Sequence, residues 1–281
     1  MKVNKEPQLL ILSLHRIGYP PADAKIRGLF TTPLLLKFQL NLLRKLGYSF
    51  KTLKDAMSRP QGKVAVVTFD DGYQDNLDAL PILKQFNAPA TVFVVTGDIG
   101  KKDVVWTEAD EDLPADLMTW ETLRGLRDKG WEIASHAHEH INLGRYGRKE
   151  QEVTIGRSIT EIETNIGEVP VSFAYPYGSY NETTKHLLKG FGIRNAVTIN
   201  QATYAETLGA RDDLELGRVS IGGRNIDHFF KAAARTFKAA GSFHPAPLGL
   251  PSWRPAMQSS FLDLGGSWAA DKQVVPGQIS S

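Results

Sequence analysis

Apolar and polar positions change their period repeatedly along this chain, and each change marks an element. Leu9 to Leu14 is a short apolar run and reads as a strand. Thr32-Pro33 then opens a helix, with Thr as the cap and Pro at the first helical position. Leu36, Leu40, Leu43 and Leu46 give that helix an apolar stripe, and Gly47 ends it. Val64 to Phe69 is a second strand, β-branched and nearly uncharged. Leu77, Leu80, Leu83 and Phe86 mark a helix in which Pro81 takes an early or irregular position. Ala90 to Val95 is the third strand. Thr119 caps a helix through Leu123, Leu126 and Lys129 that Gly130 ends, and Trp131 to Ala134 is again a strand. A long amphipathic helix spans Lys149 to Ile166. A strand follows at Val171 to Ala174, then a helix from the cap Asn181 to Lys189, stopped by Gly190. Asn195 to Ile199 and Arg218 to Ile221 read as strands, and Asp227 to Lys238 as the last helix.

Strands alternating with helices predict an α/β fold with a parallel sheet, open or closed into a barrel. Roughly seven strands over about 240 residues fit an irregular (β/α)7-type barrel, slightly short of the usual eight. Such barrels carry their chemistry at the C-terminal ends of the strands. From about residue 240 the text turns to Gly, Pro and Ser with scattered Trp and loses periodicity. We therefore expect one domain over residues 1–240 and a loosely ordered C-terminal extension over 241–281.

Composition narrows the function classes. A net charge of +2 gives no electrostatic case for nucleic acid. The absence of cysteine excludes disulfides, zinc ribbons and thiol nucleophiles. The apolar run at Leu9 to Leu14 is too short for a transmembrane segment and lacks the form of a signal peptide, so a cytoplasmic location is expected.

Two adjacent carboxylates, Asp70 and Asp71, stand where the apolar strand meets its loop, followed by Gly72. Downstream come His136 and His140, an even step apart and so on one side of either an extended or a helical backbone. One carboxylate and two imidazoles make a metal site with open positions. The remaining carboxylate suits a general base beside it. Mid-strand, neighbouring carboxylates would face opposite ways. At the strand end Gly72 lets both turn inward.

Thr68-Phe69-Asp70-Asp71-Gly72-Tyr73 resembles the first motif of the polysaccharide deacetylase (NodB-homology) family, carbohydrate esterase family four. His136 to His140 resembles the second motif, and Phe173-Ala174-Tyr175-Pro176-Tyr177-Gly178 the third. The likeness runs from about Leu9 to Phe230. It implies that Asp71, His136 and His140 hold a divalent cation, commonly Zn2+ with Co2+, Ni2+ or Fe2+ as competitors. It implies Asp70 as general base, the Tyr177 backbone N–H as oxyanion donor, and Pro176, Tyr177 and Gly178 as a wall of the substrate groove. The substrate implied is an N-acetylated saccharide, and a histidine protonates the departing amine.

Three positions depart from the family pattern. The arginine that opens the third motif and pairs with the base is replaced by Ala174, and Arg218 is a candidate source of that charge. The hydroxyl residue that follows the first histidine is Ala137. The late Leu-His motif is absent, whereas the first strand ends in His15, which resembles a branch with this motif moved to the N-terminus, the branch that includes poly-N-acetylglucosamine deacetylases. His15 is therefore the candidate acid, with His244 as competitor. His138 is a third possible ligand, weighed against a supporting or exposed role. Trp106 and Trp120 are candidates for stacking on sugar, with packing as the simpler role. Two other functions stay open on sequence: a non-catalytic carbohydrate-binding protein with a decayed site, and a non-haem metal oxygenase.

Overall fold

The computed structural model describes residues 8–58, 62–106, 113–201, 212–222 and 229. In chain order the elements are β1 (Gln8–Leu14), β2 (Arg16–Ile17), β3 (Phe30–Thr31), α1 (Pro33–Lys45), β4 (Ser49–Lys51), α2 (Leu53–Ser58), β5 (Lys63–Phe69) and α3 (Leu80–Gln85). Then follow β6 (Ala90–Val94), α4 (Trp120–Arg127), β7 (Glu132–Ser135), α5 (Arg148–Ile166), β8 (Ser172–Ala174), α6 (Glu182–Gly190), β9 (Asn195–Gln201) and β10 (Leu216–Ser220). The expected helix at 227–238 and the expected extension at 241–281 lie outside the described residues, except for Phe229, which is buried in the core.

The sheet closes on itself. β1 pairs in parallel with β5 along its whole length, from Gln8 opposite Lys63 to Leu14 opposite Phe69. Its other edge pairs with β10, Leu12 opposite Val219. The remaining order, β10-β9-β8-β7-β6-β5, completes a parallel barrel of seven strands. β4 is an eighth strand outside the ring. It pairs with Val64 to Val66, and β6 takes over the same edge of β5 from Val67. β4 and α2 were not anticipated, because three residues and six residues are too short to set up a readable period.

Two apolar layers explain why the strands read as continuous runs rather than alternations. Leu10, Leu12, Leu14, Ala65, Val67 and Phe69 face outward and pack under Leu36, Leu40 and Leu43 of α1. Leu9, Ile11, Val64, Val66, Phe93, Ala134, Ala174, Val197 and Leu216 face inward and fill the barrel. Leu53 and Ala56 of α2 join this inner cluster. The alternation continues upward, so His15, Asp70, His136, Pro176 and Arg218 inherit the inward parity of Ile11, Val66, Ala134, Ala174 and Leu216. The helix caps form as expected. Thr32 accepts from Leu35 N–H, Thr119 from Thr122 N–H, and Asn181 closes a capping box with Thr184. The residues before α3 form a 3-10 turn at Gln74–Ala79, so the predicted irregularity near Pro81 is real. Among the described residues no helix is long and apolar enough to cross a membrane.

At the inner start of β7, the buried Glu132 carboxylate accepts from Lys54 N–H at 2.9 Å and from Thr91 Oγ1 at 2.8 Å, stitching α2 to the sheet. Burial pushes the Glu132 carboxyl up, against the pull of its hydrogen bonds. A raised folded pKa means that its stability contribution is full below the ordinary carboxylate value and is lost as pH rises through the raised one. Thermal unfolding followed across pH should therefore show a decline on this limb that Glu132→Gln removes. An unchanged pH dependence in the variant contradicts this assignment.

Candidate metal centre at the mouth of the barrel

Asp70 continues the inward parity of β5, but Asp71 should by alternation face away. The backbone resolves the conflict. Asp71 itself lies at φ 74° and Gly72 at φ 80°, two consecutive left-handed residues that turn the second carboxylate back over the barrel axis. Aspartate tolerates this region better than most residues, and glycine enters it without steric cost. The sequence-based expectation credited Gly72 alone, whereas the turn begins one residue earlier. A Cβ on Gly72 would also crowd Val94 Cγ1 at 3.1 Å.

His136 and His140 converge for a different reason than their even spacing. The segment is neither strand nor helix. Ala137 at φ 65° reverses the chain and sends His138 away from the axis. His138 Nδ1 lies 3.0 Å from both Thr96 Oγ1 and Glu161 Oε2, so it anchors the loop to α5 and takes no place among the candidate ligands. Thr154 of α5 holds the same loop, its carbonyl accepting from His138 N–H and its hydroxyl from Glu139 N–H. The hydroxyl that Ala137 lacks is supplied by Ser135, whose Oγ accepts from Ala137 N–H. Ser135 and Thr154 were missed on sequence, because nothing in their spacing marks them as supports.

Asp71 Oδ1 lies 3.3 Å from His136 Nε2 and 3.5 Å from His140 Nε2. One donor atom from each of the three residues falls within 4.8 Å of the others. His136 Nδ1 is 2.8 Å from the Ala174 carbonyl, which can only accept, so Nδ1 carries the hydrogen and Nε2 faces the carboxylate. The donor set fits a borderline-soft divalent cation with open coordination positions. Burial opposes ionisation of Asp71, but the His136 hydrogen bond and the nearby imidazoles hold it well below the usual carboxylate range. Burial also opposes the charged form of His136, yet its bond to Asp71 and the two aspartate charges raise it overall. His140 is pushed down to about 4, chiefly by burial, so it offers a neutral lone pair.

Arg218 of β10 stands in the barrel beside the first carboxylate. Its Nη1 donates to Asp70 Oδ1 at 2.7 Å and its Nη2 to Asp70 Oδ2 at 2.6 Å, a bidentate and fully buried pair. Nε donates to the Thr198 carbonyl, and Nη1 also reaches Thr68 Oγ1, which in turn donates to the Leu12 carbonyl. The charge missing at Ala174 is thus delivered from another strand. Burial would raise the Asp70 carboxyl, but Arg218 more than offsets this and its pKa is lowered. His15 Nε2 lies 3.8 Å from Asp70 Oδ2, with its side chain partly exposed at the mouth. His244 lies outside the described residues.

Pro176, Tyr177 and Gly178 form a 3-10 turn above β8 in which Tyr177 takes φ 56°. Gly178 lies at φ +65°, where glycine carries no steric cost, and a Cβ there would press on the Ile199 side chain. The Tyr177 ring packs 4.3 Å from His140 and its hydroxyl donates to the Trp106 carbonyl. Trp106 lies 4.8 Å from His140 and is fixed by Nε1 donating to Asp98 Oδ2. One candidate ligand, His140, therefore lies between two aromatic rings at the rim. Trp120, the first residue of α4, instead packs against the outer core.

Comparison with known proteins agrees with this architecture. The polysaccharide deacetylase family model matches residues 58–196. YxkH of Bacillus subtilis, named for the same family, is 29% identical over 159 residues, covering 54% of this chain and 52% of that protein. The chain thus matches about half the length of that relative. A poly-beta-1,6-N-acetyl-D-glucosamine N-deacetylase of Staphylococcus aureus is 23% identical over 252 residues, covering 81% of this chain and 83% of its own. Among solved structures, the Streptococcus pyogenes deacetylase PplD in complex with acetate superposes with a TM-score of 0.66 at 25% identity, covering 81% of this chain and 99% of that one. IcaB from Ammonifex degensii shares the fold with a TM-score of 0.66 at 23% identity, covering 82% and 97%. With its parallel seven-stranded barrel and the matched segment that runs from before β5 into β9, the chain belongs to the polysaccharide deacetylase family.

Proposed function

We propose that this protein is a metal-dependent hydrolase that removes the acetyl group from an N-acetylated sugar within a polysaccharide or glycoconjugate. The observation that carries this reading is the meeting of Asp71, His136 and His140 beside a second carboxylate, Asp70, that is buried, ionised and fixed by Arg218. A divalent cation, for which zinc is our assignment, supplies Lewis acidity when bound there, polarising the acetyl carbonyl and making water more acidic. Asp70 accepts a proton from the attacking water as the water oxygen bonds to the acyl carbon. His15, across from Asp70, gives a proton to the sugar nitrogen as the C–N bond breaks, so the products are acetate and a free amine. The Tyr177 backbone N–H is the donor we assign to the developing oxyanion. Tyr177 and Trp106 form the wall against which the sugar lies.

The alternative chemistries lose their support. An iron oxygenase reading had the ligand set in its favour, but the parallel barrel is that of the deacetylases. A decayed site was suggested by the missing arginine and the changed second motif; Arg218 brings a guanidinium to Asp70 from β10, and Ser135 brings a hydroxyl to the Ala137 N–H.

Acetate release from β-1,6-linked N-acetylglucosamine oligomers, measured with the zinc-loaded protein, is the direct test. Release that stops on chelation and returns with the cation supports the proposal, and no release from any N-acetylated saccharide by protein carrying its metal rejects it. Asp70→Asn should keep the bound metal while lowering kcat by about 10²–10⁴-fold, whereas Asp71→Asn should lose the metal itself. Elemental analysis beside kinetics separates the two. Arg218→Met leaves a buried carboxylate unpaired and should cost about 3–5 kcal/mol of stability, read by denaturant unfolding at neutral pH. Because the folded pKa of Asp70 is depressed, that stabilisation is present above its ordinary value of 3.8 and fades as pH falls through the lower one. The gap between wild type and variant should therefore narrow in acid.

A further inference from the structure

His15 Nε2 stands 3.8 Å from Asp70 Oδ2, beyond hydrogen-bond distance, and where its ring can reach depends on where its backbone is held. The backbone is held from the same loop that carries the base. Asp70 N–H donates to the Leu14 carbonyl at 3.0 Å, just before His15. Six residues beyond Asp70, the fully buried Asn76 donates from Nδ2 to the His15 carbonyl at 2.6 Å. Asp75 Oδ1 accepts from Ile17 N–H at 3.0 Å and from Asn76 Nδ2 at 3.3 Å, and its Oδ2 accepts from Arg16 Nε at 2.9 Å. The Arg16 guanidinium lies over the rings of Phe30 and Tyr73, at 4.8 Å and 5.2 Å. Residues 14–17 are thus gripped on both sides of His15 by the single stretch 70–76.

We infer that Asp75 and Asn76 are positioning residues that set the His15 imidazole against the Asp70 carboxylate, so that one turn of chain aligns both proton-transfer groups. The inference deepens the proposed function and rests on its assignment of His15 as acid. Its physical content is selective. An amide releases a poor leaving group and requires protonation of nitrogen, whereas an aryl acetate releases a phenolate that departs without an acid. A displaced His15 should harm the first reaction and spare the second. General damage to the fold or to the cation site should harm both.

The experiment compares wild type, Asn76→Ala, Asp75→Asn, His15→Ala and the double variant His15→Ala/Asn76→Ala on an N-acetylglucosamine oligomer and on p-nitrophenyl acetate. Asn76→Ala should lower kcat on the oligomer about tenfold or more, with KM, metal content and aryl-ester hydrolysis unchanged. The double variant should be no slower on the oligomer than His15→Ala alone, because a positioning residue has nothing left to position. Asp75→Asn, which keeps the shape and the acceptor for Ile17, should show the same selectivity with a smaller loss, and it decides the matter if Asn76→Ala does not fold. Equal losses on both substrates, or losses that multiply in the double variant, overturn the inference while leaving the deacetylase reading intact. A wild-type protein that cleaves the aryl ester but no N-acetyl sugar overturns the reading itself, and the inference with it.

Discussion

The buried ion pair between Arg218 and Asp70 is the constraint on which the mouth of this barrel depends. Both groups are withdrawn from water, and each would be costly to bury alone. Together they form two parallel charge-assisted hydrogen bonds, the geometry in which a guanidinium and a carboxylate match best. The same guanidinium reaches the Thr198 carbonyl of β9 and, through Thr68, the Leu12 carbonyl of β1. Strands distant in sequence are therefore tied at the level of the chemistry. The pair also keeps Asp70 ionised, with its position set before any substrate arrives.

Above this pair, the centre is built from backbone that ordinary strands and helices do not use. Asp71, Ala137 and Tyr177 all lie at positive φ, and each belongs to one of the three segments that meet around the donor set. Such conformations cost of order 1–3 kcal/mol each for non-glycine residues and persist only where the surroundings over-determine them. Here the surroundings do so. The 136–140 segment is pinned to α5 through Thr154 and His138, and the 176–178 turn is closed against Ile199. The closed barrel below supplies the rigid floor, with β1 bonded on both edges.

Proximity in this site follows from loops answering one another. The segment from Asp70 to Asn76 carries the carboxylate at one end and holds the His15 backbone at the other. Trp106 and Tyr177, from separate loops, flank His140 and bond to each other through hydroxyl and carbonyl. The aromatic rim and the candidate cation site are consequently parts of one packed arrangement.

The strands of the ring, the five capped or periodic helices α1, α3, α4, α5 and α6, and the parallel order were legible in the chain because apolar periods and cap residues act locally. The Asp70-Asp71-Gly72 and His136 to His140 motifs were legible because ligand chemistry restricts residue types. Short elements escaped: β4 and α2 hold too few residues to show a period, yet Leu53 and Ala56 of α2 join the apolar cluster inside the barrel. Three matters were settled only by tertiary structure. Asp71 shares a side with Asp70 through a left-handed turn rather than through strand geometry. His138 turns toward Glu161 and away from the other imidazoles. Arg218 reaches Asp70 across 148 positions of sequence. Sequence by itself determined which groups were available and which local conformations they favoured. Which of those groups face one another was decided by ring closure, because side-chain direction at a strand end depends on the last one or two dihedral pairs, and only the packed barrel holds these in place.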